Sequence, residues 1–413
     1  MKIAIVGSGI SGNSLAYSLS KEHNITLFEK NNRIGGHSHT HEIIIQNKKF
    51  SVDTGFIVFN KKTYPLFTEL LNNLNVKYEK SDMSFSVCSK EKNFEYNGTT
   101  INTLFSQRKN ILNYKFIKMI YEIIKFNKIS LSLLSSKSKI SLETFLNENN
   151  FSEYFRMNYI LPMGSAIWSS NIDAMLKFPA LFFIKFFNNH GMLNVNDRPQ
   201  WLTISNGSKE YVKKLTASIK KNIKLNCAVN SVRRNKNSVE VTHSEGVETF
   251  DYIFFACHSD EALKIIKDPS DNEKEVLSSI PYSRNEVTLH TDESVMPKNK
   301  LSWAAWNYNI DNANDAPIAL TYNMNILQNL KSDQTILVTL NDSGNINPNK
   351  ILKKITYEHP LFSIKSIEAQ NKFDLISANN RTSFAGAYWG NGFHEDGIKS
   401  AYDAIKLFKD VKI

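Results

Sequence analysis

An α/β fold in which a nucleotide-binding domain is interleaved with a second, α+β domain is predicted by three observations. The chain opens on a short apolar run, Lys2 to Val6, of the kind a strand buried on both faces requires. That run passes directly into Gly7-Ser8-Gly9-Ile10-Ser11-Gly12 and an amphipathic segment from Asn13 to Lys21. A second apolar run, Asn24 to Phe28, ends on Glu29, 17 residues after Gly12. Strand, glycine turn, helix and strand-end acid together describe a Rossmann-like unit. Gly7 permits the tight turn, Gly9 lets the backbone approach a pyrophosphate, and Gly12 lets the helix pack on the strand. The helix N-terminus supplies free N–H groups and a positive dipole end around Ser8, Ile10 and Ser11. Glu29 stands where a carboxylate can accept hydrogen bonds from ribose hydroxyls.

Composition sets the limits. At 413 residues the chain is long enough for two buried cores. Hydrophobic residues at 41% and charged residues at 22% describe an ordinary globular protein. A net charge of +10 favours anionic partners, and of these an anionic membrane surface is retained. Nucleic acid is set aside, because no helix-turn-helix, zinc finger or RNA-binding aromatic signature is present. Cys88, Cys227 and Cys257 are far apart and have no CxxC spacing, which argues for a reducing, cytoplasmic setting. The first strand begins at Lys2, so no signal peptide is expected, and no apolar run reaches 18 residues.

Further along, Glu42 to Ile45 and Lys49 to Val52 read as a hairpin leading into Asp53-Thr54-Gly55, and Thr63 to Leu74 as an amphipathic helix. From Ile111 to Leu134 apolar Ile117, Ile120, Tyr121 and Ile124 alternate at helical spacing with Lys115, Lys118, Glu122 and Lys125. Such a helix either faces its own core or lies on a membrane with its lysines toward headgroups. Met175 to Phe187 is a second apolar, aromatic candidate for the same choice. Asn158 to Trp168 reads as a loop carrying Gly, Pro and aromatics, suited to a pocket wall. His37, His39 and His41 alternate and could share one strand face, but no Asp, Glu or Cys of complementary spacing stands beside them, so no metal site is expected.

Lys30-Asn31-Asn32-Arg33-Ile34-Gly35-Gly36-His37, following the strand-end acid, resembles the second signature of FAD enzymes in the flavin-containing amine oxidase superfamily. His37 stands where those enzymes usually carry an arginine. GSGISG, VDTGFIVFN, YILPMGSAIWSS, LHTDESVMP and AGAYWGNGFHEDG extend the resemblance over nearly the whole chain. They look like one bacterial branch of predicted NAD/FAD-binding proteins, often encoded beside cyclopropane fatty acid synthases.

The resemblance implies a glutathione-reductase-like FAD domain from residues 1–80, 198–262 and 375–413, and an amine-oxidase-like substrate domain from 81–197 and 263–374. It implies FAD contacts at Lys30, Arg33, Gly35, Gly36, His37, Ser38, Thr54 and Gly55, and an adenine contact at Val229. It also implies a third signature in which Gly386 ends a strand, and the helix after it, with Glu395, Asp396 and Ile398, points its N-terminus at the flavin. Trp389 and Phe393 are the candidate flavin-flanking aromatics, His394 and Glu395 a candidate acid–base pair, and Lys298 or Lys300 a candidate lysine near flavin N5. Glu395 is equally suited to capping a helix. The implied substrate is an unsaturated or methyl-modified fatty acyl chain, with a lipid methyltransferase as a possible partner. An amine- or carotenoid-type oxidase and a non-redox, lipid-binding flavoprotein are the alternatives.

Overall fold

In the computed structural model, all residues are described except 137, 195–197, 311–318 and 411–413. Five parallel strands, in the order Ile223–Lys224, Asn24–Phe28, Lys2–Val6, Tyr252–Phe255 and Thr382–Phe384, form the nucleotide-side sheet. Their residues read as continuous apolar runs because both faces are covered; Ile3, Ala4, Ile5, Phe254 and Phe255 are fully buried. On one face lie the helices Ile10–Leu19 and His394–Lys409, packed through Leu15, Ala16, Ala401 and Ala404. A three-stranded antiparallel layer, Val229–Arg234, Val239–His243 and Gly246–Phe250, lies against the other.

A second sheet of seven strands is mostly antiparallel. It runs Ile351–Pro360, Tyr282–His290, Leu337–Leu340, Ala319–Asn323, Trp306–Asn309, Phe85–Ser89 and Phe94–Asn97, with the helices between residues 101 and 189 packed beside it. The helices Asp271–Ser278, Ile364–Gln370 and Phe373–Ile376 do not join this half. Val276, Leu277, Ala369 and Ile376 bury themselves with Val6, Val232, Ile253 and Phe255, so parts of 263–374 pack on the parallel sheet.

One local reading is corrected, and two choices between core and membrane are narrowed. The segment Asn158–Trp168 is helical: a π-turn, Arg156–Ile160, runs into the helix Leu161–Trp168. Pro162 has no N–H to give the carbonyl four residues back, and that carbonyl, on Asn158, instead accepts from the Tyr96 hydroxyl at 2.7 Å. The segment from Met175 to Phe187 is core. It breaks at Pro179 between two helices, and Phe178, Phe183 and Phe187 are buried. The helix Tyr114–Leu133 buries Phe116, Met119, Glu122 and Phe126 and leaves Ile117, Tyr121 and Ile124 exposed, so it packs on its own core through a different face from the Ile117–Ile124 stripe.

Among the described residues, no helix is long and apolar enough to cross a membrane.

Candidate cofactor and substrate cavity

One cavity of about 1320 Å³ runs from the carboxyl ends of the parallel strands into the second half of the molecule. That exceeds the ~300–1,000 Å³ of ordinary ligand sites, leaving room for a dinucleotide and a substrate together. Its nucleotide end is built from the opening motif. Gly7 has φ +100°, and a Cβ there would lie 2.6 Å from the Ala256 carbonyl oxygen. A Cβ on Gly12 would lie 1.9 Å from the Gly7 carbonyl oxygen. A Cβ on Gly9 would meet nothing within 4 Å, so Gly9 faces open cavity. No side chain caps the helix Ile10–Leu19, and its first N–H groups stay available to an anion.

Glu29 is buried, with its carboxylate held at the cavity edge. It accepts from Ser8 N–H at 3.1 Å and Ser8 Oγ at 2.5 Å, and from Asn31 N–H and Nδ2 at 2.8 Å each. Lys30 lies at the rim, paired with Glu261 at 2.5 Å. Arg33 donates to the Gly36 carbonyl at 2.8 Å through one terminal nitrogen, while the other, buried, has no partner. His37 stacks on Tyr357 with ring centroids 4.9 Å apart, and its Nε2 is likewise buried without a partner. Burial, then the neighbouring His359, holds His37 well below its ordinary pKa, so the ring is neutral. Two unpaired donors or acceptors beside an open glycine cradle fit a polar, phosphate-bearing cofactor. FAD would be held there by Ser8, Gly9, Glu29, Arg33, Gly36, His37 and Val229, all of which line the cavity.

Thr54, Gly55, Gly386, Phe393 and His394 line the middle. Thr54 Oγ1 lies 2.8 Å from the Tyr357 hydroxyl and 3.1 Å from His41 Nε2. His39 Nδ1 lies 2.9 Å from the same hydroxyl, so His39 and His41 are tied to protein groups. Burial lowers them to about 3 and about 4. Asp53, just behind, is clamped. It accepts from Ser208 N–H and Oγ, Thr40 Oγ1 and Gln328 Nε2, and burial still raises its pKa to about 6.

Several expected contacts stand behind the wall. The Gly12 and Gly35 backbones serve turn geometry, Gly35 N–H donating to the Ser8 carbonyl at 2.9 Å. Ser38 Oγ bonds the Tyr211 hydroxyl and lies 2.9 Å from His394 Nε2. Ile398 is buried with Ile10. Glu395 accepts from Leu66 N–H at 2.9 Å and Phe67 N–H at 3.0 Å, capping the helix Pro65–Asn73, and Asp396 accepts from Phe393 N–H at 3.0 Å to cap its own helix.

The candidate acid–base pair therefore comes apart. His394 is stacked on Phe56, with ring centroids 3.6 Å apart, and burial lowers it to about 3, so it is a neutral ring and no general acid. Trp389 packs on Phe373 at 4.9 Å, outside the cavity. Lys298 and Lys300 are exposed and do not line the cavity; the backbone of Lys298 donates to Glu95 at 2.8 Å, and Lys300 Nζ lies 5.2 Å over the Trp303 ring.

Sequence reasoning missed Tyr357, His359, Tyr211 and Gln328. Each reaches the site from a distant element, and no local motif marks any of them. The far end of the cavity is aromatic and aliphatic, with Tyr159, Met163, Ile167, Phe186, Met192, Tyr322, Leu340 and Phe362.

The family described as flavin containing amine oxidoreductase matches residues 10–345. No curated protein matches the chain. Among solved structures, the chain is similar to a CLA-producing fatty acid isomerase from P. acnes, with TM-score 0.71, 14% identity and 98% of both chains covered. It is similar to a cyclohexylamine oxidase from Brevibacterium oxydans, with TM-score 0.71, 13% identity and 99% of both chains covered. It is also similar to a putrescine oxidase bound to putrescine, with TM-score 0.67, 13% identity and 99% of both chains covered. With most of its length inside the family match, the chain belongs to the flavin containing amine oxidoreductase family, as an FAD-dependent oxidoreductase of amine-oxidase-like fold.

Proposed function

We propose that the substrate is an unsaturated or methyl-modified fatty acyl chain, oxidised, dehydrogenated or isomerised by hydride transfer from a carbon beside a double bond. The observation that carries this reading is the lining of the far cavity. The carboxylates lining the cavity, Glu29, Glu261 and Glu358, belong to the nucleotide end, where Glu261 pairs with Lys30 and lies beside Glu358. Among the described lining residues, none in the aromatic part is an anion that could meet an ammonium. An ammonium buried there would lack a counter-charge, whereas an acyl chain gains ~0.8 kcal/mol per buried methylene. The shared fold of a fatty acid isomerase supports the reading.

When bound, FAD supplies a hydride acceptor at N5. The chain's own residues bind, orient and exclude water. The helix Ile10–Leu19 would present N–H groups to the pyrophosphate, Glu29 would take the ribose, and Val229 would meet the adenine. The helix His394–Lys409 points its N-terminus toward the cavity through Phe393 and His394. Its dipole favours negative charge there. The aromatic walls hold an acyl chain against that point and keep water out. Isomerisation, in which the hydride returns to a second carbon of the chain, requires no side chain to move a proton, consistent with the neutral His37 and His394; dehydrogenation or oxidation also gives up one proton per hydride, which leaves to solvent. In this reading a lipid methyltransferase is the partner that supplies methyl-modified chains, at the cytoplasmic side of a membrane.

The second reading, an amine or carotenoid-type oxidase, is favoured by one feature. Trp306 and Tyr322 both line the cavity and meet edge to face at 5.2 Å, a surface that could hold a neutral amine.

The test is incubation of the holoenzyme with unsaturated fatty acids and with phospholipids carrying them, followed by mass spectrometry of the recovered chains. A change in the number or position of double bonds is expected. Ammonia together with an aldehyde from putrescine or a ketone from cyclohexylamine, with acyl chains unchanged, would replace this reading with the second.

A further inference from the structure

The helix Tyr114–Leu133 has two apolar faces, only one of which is covered. Its inner face packs Phe116 on Tyr96, ring centroids 5.6 Å apart, and Tyr96 lines the cavity. At 100° per residue, Tyr114, Ile117, Tyr121, Ile124 and Leu131 form a stripe opposite that face, and all five are exposed, Tyr121 by 65%. The turn ahead of the helix adds Leu112, 92% exposed. Ile101, 79% exposed, follows cavity-lining Gly98 and Thr99 by two residues. Exposed apolar side chains at this density, with Lys128 set among them, mark an interaction site.

Charge selects the occupant. Between residues 101 and 136 the basic residues number six (Arg108, Lys109, Lys115, Lys118, Lys125 and Lys128), against one acid, Glu122. Glu122 is buried and committed to capping, accepting from Ser152 N–H at 2.9 Å and from its hydroxyl. Two-fold pairing with a second copy would set these lysines against each other with no free carboxylate of this segment between them, because a two-fold interface matches a surface with itself. An anionic bilayer answers both features: headgroups take the lysines, and the stripe enters the interface.

We propose that this helix, with Leu112 and Ile101, is a docking face for anionic phospholipid bilayers, and that it lays the cavity wall at Gly98 and Thr99 against the lipid surface. The proposal rests on the helix face and its charges; the acyl-chain reading explains its use but is not required for it.

The test is co-sedimentation of the FAD-loaded full chain with vesicles of phosphatidylglycerol and phosphatidylcholine, and with vesicles of phosphatidylcholine alone. Binding to the anionic vesicles is expected, at least about tenfold tighter than to the neutral ones at low salt and weakened by high salt. Tyr121→Glu combined with Ile124→Glu should weaken binding at least about tenfold. Lys115→Gln with Lys118→Gln and Lys128→Gln should do so while leaving the apolar stripe intact. An unchanged flavin spectrum and melting temperature would show that the variants fold. No vesicle binding by the parent protein, or binding indifferent to lipid charge, overturns the proposal. So does a dimer in light scattering that Tyr121→Glu dissolves, which would make a second copy the occupant. Vesicle binding is read without turnover, so docking with no change in acyl chains would refute the substrate reading alone.

Discussion

Two glycines of the opening motif give opposite expectations for the same kind of substitution. Gly9 is extended at φ −68°, tolerable for any residue, and a Cβ there meets nothing within 4 Å. Gly9→Val should therefore alter folding stability by no more than about 0.5 kcal/mol. It fills the space in which a pyrophosphate must approach the N–H groups of Ile10 and Ser11. Losing two charge-assisted hydrogen bonds at roughly 1.5–3 kcal/mol each weakens FAD binding by about 3–6 kcal/mol, or roughly 10²- to 10⁴-fold in Kd. Gly12→Ala behaves differently. Its Cβ would sit 1.9 Å from the Gly7 carbonyl oxygen, a backbone atom that must move, so the strand–helix packing itself is damaged by ~1–3 kcal/mol or more. The assay is apoprotein reconstituted with FAD, read by flavin fluorescence, alongside thermal unfolding without cofactor. Gly9→Val should melt like the parent apoprotein and bind little FAD, while Gly12→Ala should melt several degrees lower. Normal FAD affinity in Gly9→Val, or unaltered apoprotein melting in Gly12→Ala, would refute the reasoning.

Other substitutions test single contacts. Glu395→Ala removes the cap on Leu66 and Phe67 N–H and should cost about 1–2 kcal/mol in chemical denaturation, with FAD affinity changed much less. Asp53 has a pKa of about 6 when folded, against its ordinary 3.8, because burial outweighs its hydrogen bonds. The folded chain thus holds that proton more tightly, and its contribution to stability is full below pH ~4 and falls by about 3 kcal/mol as pH rises to ~6. Asp53→Asn should flatten that fall when melting is compared at pH 4.5 and 7.5. Lys298→Ala should leave the rate of flavin reduction unchanged, since the side chain is exposed outside the cavity; a large decrease would restore it to the site. His394 titrates near 3, so the pH profile of reduction should show no inflection from it between pH 5 and 8.

The nucleotide end was legible because its logic is local: strand, turn, helix and acid lie within residues 2 to 29, and each glycine has a reason visible in its neighbours. What escaped is long-range. Glu395 reads as a cofactor or acid–base residue until Leu66, 329 positions away, is seen to donate to it. His37 gives no hint that Tyr357 will stack on it, because that strand is brought over only by the second sheet. The helix Tyr114–Leu133 was legible as a helix but not in its orientation. Phe116, Met119 and Phe126 on one side and Ile117, Tyr121 and Ile124 on the other are both apolar, so periodicity alone cannot choose. Asn158–Trp168 looked like a loop because Pro162 and Gly164 discount helix. The Tyr96 hydroxyl satisfies the carbonyl that Pro162 leaves free, and Gly164 is where Phe183 and Met175 approach within 2.8 Å of a would-be Cβ.

The most direct test of the central claim is the visible spectrum of the purified protein, followed anaerobically while unsaturated fatty acid or phospholipid is added. An oxidised flavin band near roughly 450 nm, a property of the cofactor, that bleaches or shifts with substrate is expected. A bound flavin unaffected by any acyl chain but bleached by an amine would contradict the substrate assignment, and a purified protein that neither carries nor takes up FAD would contradict the account of the cavity.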